Sequence, residues 1–169
     1  MNTHLCNLSE YEWSVVAKHL SGEDIFQLQL AGNAHLSCML YKVVSSLSFE
    51  CISSIHLGTL QFYSRLTSLS VKRESSSITD ATLTNLPSTL RYLDLYSNRN
   101  ITDAGLTNLP RTLTSLNLDN NNNITDAGLT NLPHTLTSLN LHSNENITDA
   151  GLANLPRTLK SLNLDCNNN

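Results

Sequence analysis

The stretch ITDAGLTNLPRTLTSLNLDNNNN, residues 101–123, decides the fold. It returns downstream as ITDAGLTNLPHTLTSLNLHSNEN (124–146) and ITDAGLANLPRTLKSLNLDCNNN (147–169). Upstream it reads ITDATLTNLPSTLRYLDLYSNRN (78–100). Ile78, Ile101, Ile124 and Ile147 follow one another at intervals of 23 residues. A fixed period of that length builds a stack in which each unit touches only its neighbours. Leu93 and Leu95 alternate with Tyr92, Asp94 and Tyr96, as a half-buried strand requires. After the strand, Thr102 and Asp103 offer side-chain oxygens where a helix would start. Ala104, Leu106 and Leu109 then give an inward face for about two helical turns. Pro110 pushes Leu109 toward extended geometry and ends them. Gly105, Gly128 and Gly151 share a place that holds Thr82 in the first unit, so a left-handed backbone is not obligatory there.

The spacing L-x-x-L-x-L-x-x-N occupies Leu90, Leu93, Leu95 and Asn98, and recurs through Leu113 to Asn121, Leu136 to Asn144 and Leu159 to Asn167. This resembles the leucine-rich-repeat signature. The resemblance implies an α/β solenoid with a parallel sheet on the concave face and short helices on the convex face. It also implies that each Asn turns into the core, satisfies backbone groups there, and stacks into a ladder. A degenerate copy, Leu66, Leu69 and Val71 with Glu74 at the Asn place, precedes the four units with one residue inserted after it. The array is therefore assigned to 66–169. Residues 43–65 form a linker or first irregular repeat, in which VVSSLSF (Val43 to Phe49) reads as a strand. A single unit cannot bury its own apolar face, so stacking supplies the stability. The sequence stops at Cys166-Asn167-Asn168-Asn169 without a polar capping unit, which predicts an open edge. Pairing through that edge, or a shortened chain, would account for it.

The units compare themselves. They differ at Arg111/His134/Arg157, Thr107/Ala153, Thr114/Lys160, Asp119/His142/Asp165, Asn120/Ser143/Cys166 and Asn122/Glu145, none of them a core position. Drift at exposed positions after duplication explains this pattern. The functional alternative is that a partner is read at the strand ends. The outward positions place Tyr92, Asp94, Tyr96, Asn117, Asp119, Asn140, His142, Asn163 and Asp165 on the concave face, with Ser68, Ser70 and Lys72 on the earlier strand and Ser115, Ser138 and Ser161 between. These are the candidate partner-binding residues. Tyr92 and Tyr96, on one face, are the expected anchors. Five strands make a face ~20 Å across, enough for a peptide or a small patch.

Residues 6–42 have a different rhythm. Ser9 with Glu12 makes a capping box, and Trp13, Val16, Ala17 and Leu20 follow on one helical face. Ser21 to Asp24 breaks that helix and caps a second, which carries Ile25, Phe26, Leu28 and Leu30. Leu36, Met39 and Leu40 suit a third. By itself this is a small helical bundle, able to cap the solenoid. The segment LSEYEWSVVAKHLSGEDIFQLQL also resembles an F-box, with Leu8, Val16, Leu20, Asp24 and Ile25 at matching intervals. It departs from that pattern at Ser9, where the family has Pro, and at Tyr11, where it has Glu. The resemblance implies that Leu8, Trp13, Val16, Leu20 and Ile25 dock the Skp-type adaptor of a cullin–RING ubiquitin ligase while the repeats hold its substrate. Leu8, Trp13 and Ile25 should then be partly exposed as an apolar patch. Burial against the first repeat would point to the cap instead.

Composition sets the remaining bounds. The net charge of −4, with no Lys/Arg run, argues against nucleic acid. No apolar run reaches the ~18 residues that span a bilayer. The start MNTHLCNLSEYEW is not a secretory signal. Cys6, Cys38, Cys51 and Cys166 contain no C-x-x-C pair, so reduced thiols in the cytoplasm or nucleus are expected. The Asn-x-Ser/Thr sequons at Asn7, Asn100, Asn123 and Asn146 are then not acceptors. Nucleotide-loop, zinc-protease and hydrolase motifs are absent, and the six His residues show no ligand spacing. No cofactor, metal or catalytic role is expected. NLPxTLxxLxL also resembles pathogen repeats that carry their own ligase domain, but these 169 residues leave no room for such a domain.

Overall fold

The computed structural model describes residues 15–17, 19–21, 24–25, 40, 42–49, 57–71 and 78–167. Six strands form one sheet in chain order, every neighbouring pair parallel. They are β1 (Ser46–Phe49), β2 (Ser68–Val71), β3 (Tyr92–Asp94), β4 (Ser115–Asn117), β5 (Ser138–Asn140) and β6 (Ser161–Asn163). A 3-10 helix, Leu57–Phe62, joins β1 to β2. Helices α1 (Asp80–Leu83), α2 (Asp103–Leu106), α3 (Asp126–Leu129) and α4 (Asp149–Leu152) join the later strands. The register sets Leu47, Leu69, Leu93, Leu116, Leu139 and Leu162 in one row. This is a leucine-rich-repeat solenoid, and the Val43–Phe49 stretch supplies a sixth strand to the sheet.

The helices are shorter than the two turns the apolar spacing predicts. Each holds four residues. Beyond Leu106 the backbone tightens to bonds three residues apart, Asn108 N to Gly105 O and Leu109 N to Leu106 O. Pro110 has no N–H to continue the ladder. Thr102 caps α2 as expected, accepting from Ala104 N at 3.3 Å. Asp103 does not cap its own helix. Its carboxylate reaches the next unit, accepting from Thr125 N at 2.8 Å and Thr125 Oγ1 at 2.6 Å. Asp80–Thr102 and Asp126–Thr148 repeat the same pair of bonds.

That stitch explains the glycines. A Cβ on Gly128 would lie 2.3 Å from Asp103 Oδ1, and one on Gly105 would lie 2.3 Å from Asp80 Oδ1. Close approach, rather than backbone sign, excludes a side chain. The first unit has no aspartate behind it, since none occurs between Asp24 and Asp80. Thr82 therefore fits, and its hydroxyl accepts from Thr79 N and donates to Thr79 O. Left-handed backbone sits instead at Ser97, Asn120, Ser143 and Cys166, with φ of 57°, 57°, 54° and 61°. These residues close each strand's turn. Only small or turn-forming side chains occupy the place, although it varies between units.

Behind each turn, the asparagines form the expected ladder. Asn121 Nδ2 donates to Leu95 O and Asp119 O, both at 3.0 Å, and Asn144 Nδ2 to Leu118 O at 2.9 Å. Asn121 N in turn donates to Asn144 Oδ1, and Asn144 N to Asn167 Oδ1. Threonines stitch the other flank: Thr112, Thr135 and Thr158 Oγ1 donate to Leu90, Leu113 and Leu136 carbonyls.

The core runs unbroken from the N-terminal segment into the array. Ile25, Leu40, Val43, Val44 and Leu47 are buried in the same cluster as the repeat leucines. Val16, Ala17 and Leu20 pack against it, half-buried. Ile25 is 2% exposed, which corrects the expectation of a free apolar docking residue there. The other two diagnostic positions, Leu8 and Trp13, lie outside the described residues. At the far end, β6 pairs with β5 alone, and Leu162 is 40% exposed where Leu139 is 1%. Ile147, Thr148, Asp149, Leu152, Leu164 and Asn167 line a shallow pocket there.

Candidate functional site

Each repeat projects three side chains toward the concave face, one from the start of its strand, one from its last residue and one from two residues beyond. The parallel, in-step register turns these into three rows.

The first row is Ser68, Tyr92, Ser115, Ser138 and Ser161. Tyr92 is 38% exposed. Partial burial, and secondarily the neighbouring Asp94 carboxylate, raise its hydroxyl pKa above the usual 10.0. It stays a neutral donor throughout the physiological range.

The middle row is Ser70, Asp94, Asn117, Asn140 and Asn163. Asp94 corrects the sequence expectation. It is 4% exposed and is committed within the sheet. Oδ1 accepts from Tyr96 N at 3.1 Å and Asn117 Nδ2 at 2.8 Å, and Oδ2 accepts from Ser70 Oγ at 3.0 Å. Ser70 is itself buried. Asn117, Asn140 and Asn163 make the same local turn, each Oδ1 accepting from the N–H two residues on. An Asx turn closes each strand, so these side chains spend their acceptor on the backbone. The amide NH2 groups of Asn140 and Asn163 remain without a partner among the described residues, facing outward as donors.

The third row is Tyr96, Asp119, His142 and Asp165, one per repeat. Tyr96 is 39% exposed. His142 Nδ1 lies 3.0 Å from Asp119 Oδ1 and 3.0 Å from Ser143 Oγ. Asp165 is exposed, and its carboxylate has no partner among the described residues. Lys72, expected to start this row, lies outside the described residues.

The structure thus brings Tyr92, Tyr96, Asn117, Asp119, Asn140, His142, Asn163 and Asp165 together on one face and removes Asp94 from it. The Asx turn was legible as an Asn or Asp two residues before each turn, but alternation alone does not distinguish a free outward side chain from one folded back. Among the described residues no group of His, Cys, Asp and Glu is arranged to hold a metal, and no helix is long and apolar enough to cross a membrane. Cys166 is a free, exposed thiol, while the other three cysteines lie outside the described residues.

The leucine-rich-repeat family model matches three successive segments, 87–109, 110–132 and 133–155. Each begins at the proline that ends a helical turn. The chain contains leucine-rich repeats, and proteins built from them generally mediate protein–protein interaction. No curated protein matches the chain. Among solved structures, an internalin (InlF) from Listeria monocytogenes is 28% identical, with a TM-score of 0.57 over 75% of this chain and 36% of that one. The leucine-rich repeat-containing protein LegL7 from Legionella pneumophila is 23% identical, with a TM-score of 0.54 over 96% of this chain and 54% of that one. The second likeness speaks for the fold alone. The chain spans about a third and a half of the lengths of these two proteins.

Proposed function

We propose that this chain is a non-catalytic binding module that holds a protein partner on the concave face of its sheet, with the N-terminal segment closing the solenoid as a cap. The observation that carries the first half is the unpartnered concave face. Its two large aromatics are 38% and 39% exposed, while the other large apolar residues described in the repeats before β6 are buried or half-buried. Exposed tyrosines on a rigid face give large contact area at little entropic cost. The burial of Ile25 in the shared core carries the second half.

The adaptor role that the F-box resemblance implies is a finer reading. It needs Leu8, Trp13, Val16, Leu20 and Ile25 on one accessible patch facing a Skp-type subunit. The place of Ile25 in the core that the N-terminal segment shares with the repeats, with Val16 and Leu20 packed against that core, favours the cap over that reading. A cytoplasmic or nuclear setting is part of the same proposal and rests on the cysteine pattern.

The two halves are tested separately. Purified chain carrying Tyr92→Ala and Tyr96→Ala should lose the proteins that wild type captures from extracts of the source cells, while Thr107→Ala on the convex side keeps them. Equal capture by all three would remove the concave face from the account. Mixing wild type with a purified Skp-type adaptor should give no complex, and a complex abolished by Leu20→Asp would reinstate the adaptor role.

A further inference from the structure

The third row of the concave face has a chemistry of its own, beyond its availability. It runs Tyr96, Asp119, His142, Asp165 along the C-terminal ends of β3 to β6. Resting on the reading of this face as a binding surface, we propose that its occupant is an extended protein segment bearing arginine or lysine at alternating positions, with their cationic ends along this row.

Two different kinds of group converge on a cation. The first is carboxylate. Asp119 gives one oxygen to His142 and keeps the other, while Asp165 keeps both. Charged hydrogen bonds from guanidinium or ammonium to such oxygens are the strong class of polar contact. The second is aromatic. Tyr92 and Tyr96 stand half-exposed at one end of the face, and their ring faces attract cations within about 6 Å. Asp94, buried beneath them, adds negative charge to the same end.

Among the described residues, the cations of the repeats stand elsewhere. Arg91 and Lys160 precede β3 and β6, at the opposite end of the parallel strands from Asp119 and Asp165. Arg111 and Arg157 lie further back, before the strands. Arg99 and Glu145, one of each sign, follow beyond the buried asparagines. Among the described residues of β3 to β6, the face is therefore polarised along its strands, basic at the entry and acidic at the exit.

The middle row selects an extended backbone. Its oxygens are folded into Asx turns, so Asn140 and Asn163 present donors, which suit the carbonyls of a chain laid across the strands. Asp119 and Asp165 are two strands apart, roughly 9–10 Å. Side chains on one side of an extended chain recur every ~6.6 Å, a gap that a long flexible basic side chain bridges. The neutral serines of the first row add no competing charge.

The test is selection from a random twelve-residue peptide display library on the full chain, followed by anisotropy titration of the selected peptides. Arg- or Lys-rich peptides with alternating spacing should be enriched. Their affinity should fall at least tenfold for the Asp119→Ser/Asp165→Ser chain, weaken as salt is raised, and stay unchanged for Asp149→Asn, an exposed carboxylate away from the face. Far-UV circular dichroism checks that each variant keeps its fold. Enrichment of acidic or uncharged peptides that still require Tyr92 and Tyr96 would overturn the cationic inference and leave the concave face as the binding surface. Basic peptides that bind the double variant equally well would also overturn it. Peptides indifferent to every concave substitution would overturn both readings.

Discussion

Asp103 of one repeat binds Thr125 of the next through two hydrogen bonds, 2.8 Å from the backbone N–H and 2.6 Å from the hydroxyl. Oδ1, the oxygen that accepts from the N–H, sits 2.3 Å from where a Cβ on Gly128 would be. The stitch and the glycine are therefore one device. Asp103→Ala should destabilise the chain by about 1.5–3 kcal/mol, the worth of hydrogen bonds to a charged group. Gly128→Ala should cost a further amount of order 1–3 kcal/mol through overpacking. The double variant should cost less than the sum, because removing the carboxylate opens the space. Urea titration of the four chains checks this, and strict additivity would show that the two positions do not act together.

Asn121 is expected to be the more costly loss. Its amide satisfies two main-chain carbonyls, one in each of two repeats, and it is fully buried. Asn121→Ala removes one of the two hydrogen bonds that each carbonyl accepts, since Asn98 N also donates to Leu95 O and Ser97 N to Asp119 O, at roughly 0.5–1.5 kcal/mol per bond lost, and it leaves a void in a fully buried place. Asn167 also makes two side-chain bonds, Nδ2 donating to Leu141 O and Oδ1 accepting from Asn144 N, but it is half-exposed on the last turn, where water can replace them, so its substitution by Ala should cost clearly less. Comparable losses at the two sites would mean that burial does not set the value of the ladder.

Acid should loosen the stack. The Thr148 hydroxyl, and next the Thr148 N–H, hold the Asp126 carboxyl below its usual 3.8. A carboxyl lowered in the folded state contributes stability above its unfolded value. That contribution drains away as pH falls below 3.8 through the lowered folded value. Thermal midpoints measured from about pH 6 to about pH 2 should fall on the acid side, and Asp126→Asn should flatten that fall. An unchanged acid limb in the variant would remove Asp126 from the linkage.

The cap reading makes its own prediction. Ile25→Ala removes a buried side chain from the core shared by the N-terminal segment and the repeats, and should cost about 2–5 kcal/mol. Because the core is continuous, the whole circular-dichroism transition should shift as one. A repeat transition that stays in place while only a minor signal is lost would separate the two parts.

Much of the solenoid was legible because its instructions are local and repeated. The period, the inward leucines, the helix-ending prolines and the core asparagines each act within one unit, and four near-identical copies reinforce them. What escaped the sequence acts between units. Asp103 looks like its own helix's cap until the next repeat's Thr125 is placed beside it. Thr82 shows that the Gly105 place needs no special backbone, and the reason for a glycine appears only when Asp80 is seen behind it. Asp94 alternates outward like Tyr92, yet bonds to Ser70 and Asn117 on the adjoining strands pull it out of solvent. Ile25 fits a docking pattern by spacing, and only tertiary packing assigns it to the core.

Site-specific photo-cross-linking tests the central claim, that the concave face holds the partner, most directly. A photoreactive phenylalanine analogue is placed at Tyr96 on the concave face, or at Thr107 after α2 on the convex side, and the chain is irradiated in extracts of the source cells. The account predicts discrete protein adducts from position 96 and none from position 107. Adducts from position 107 with none from position 96 would contradict it.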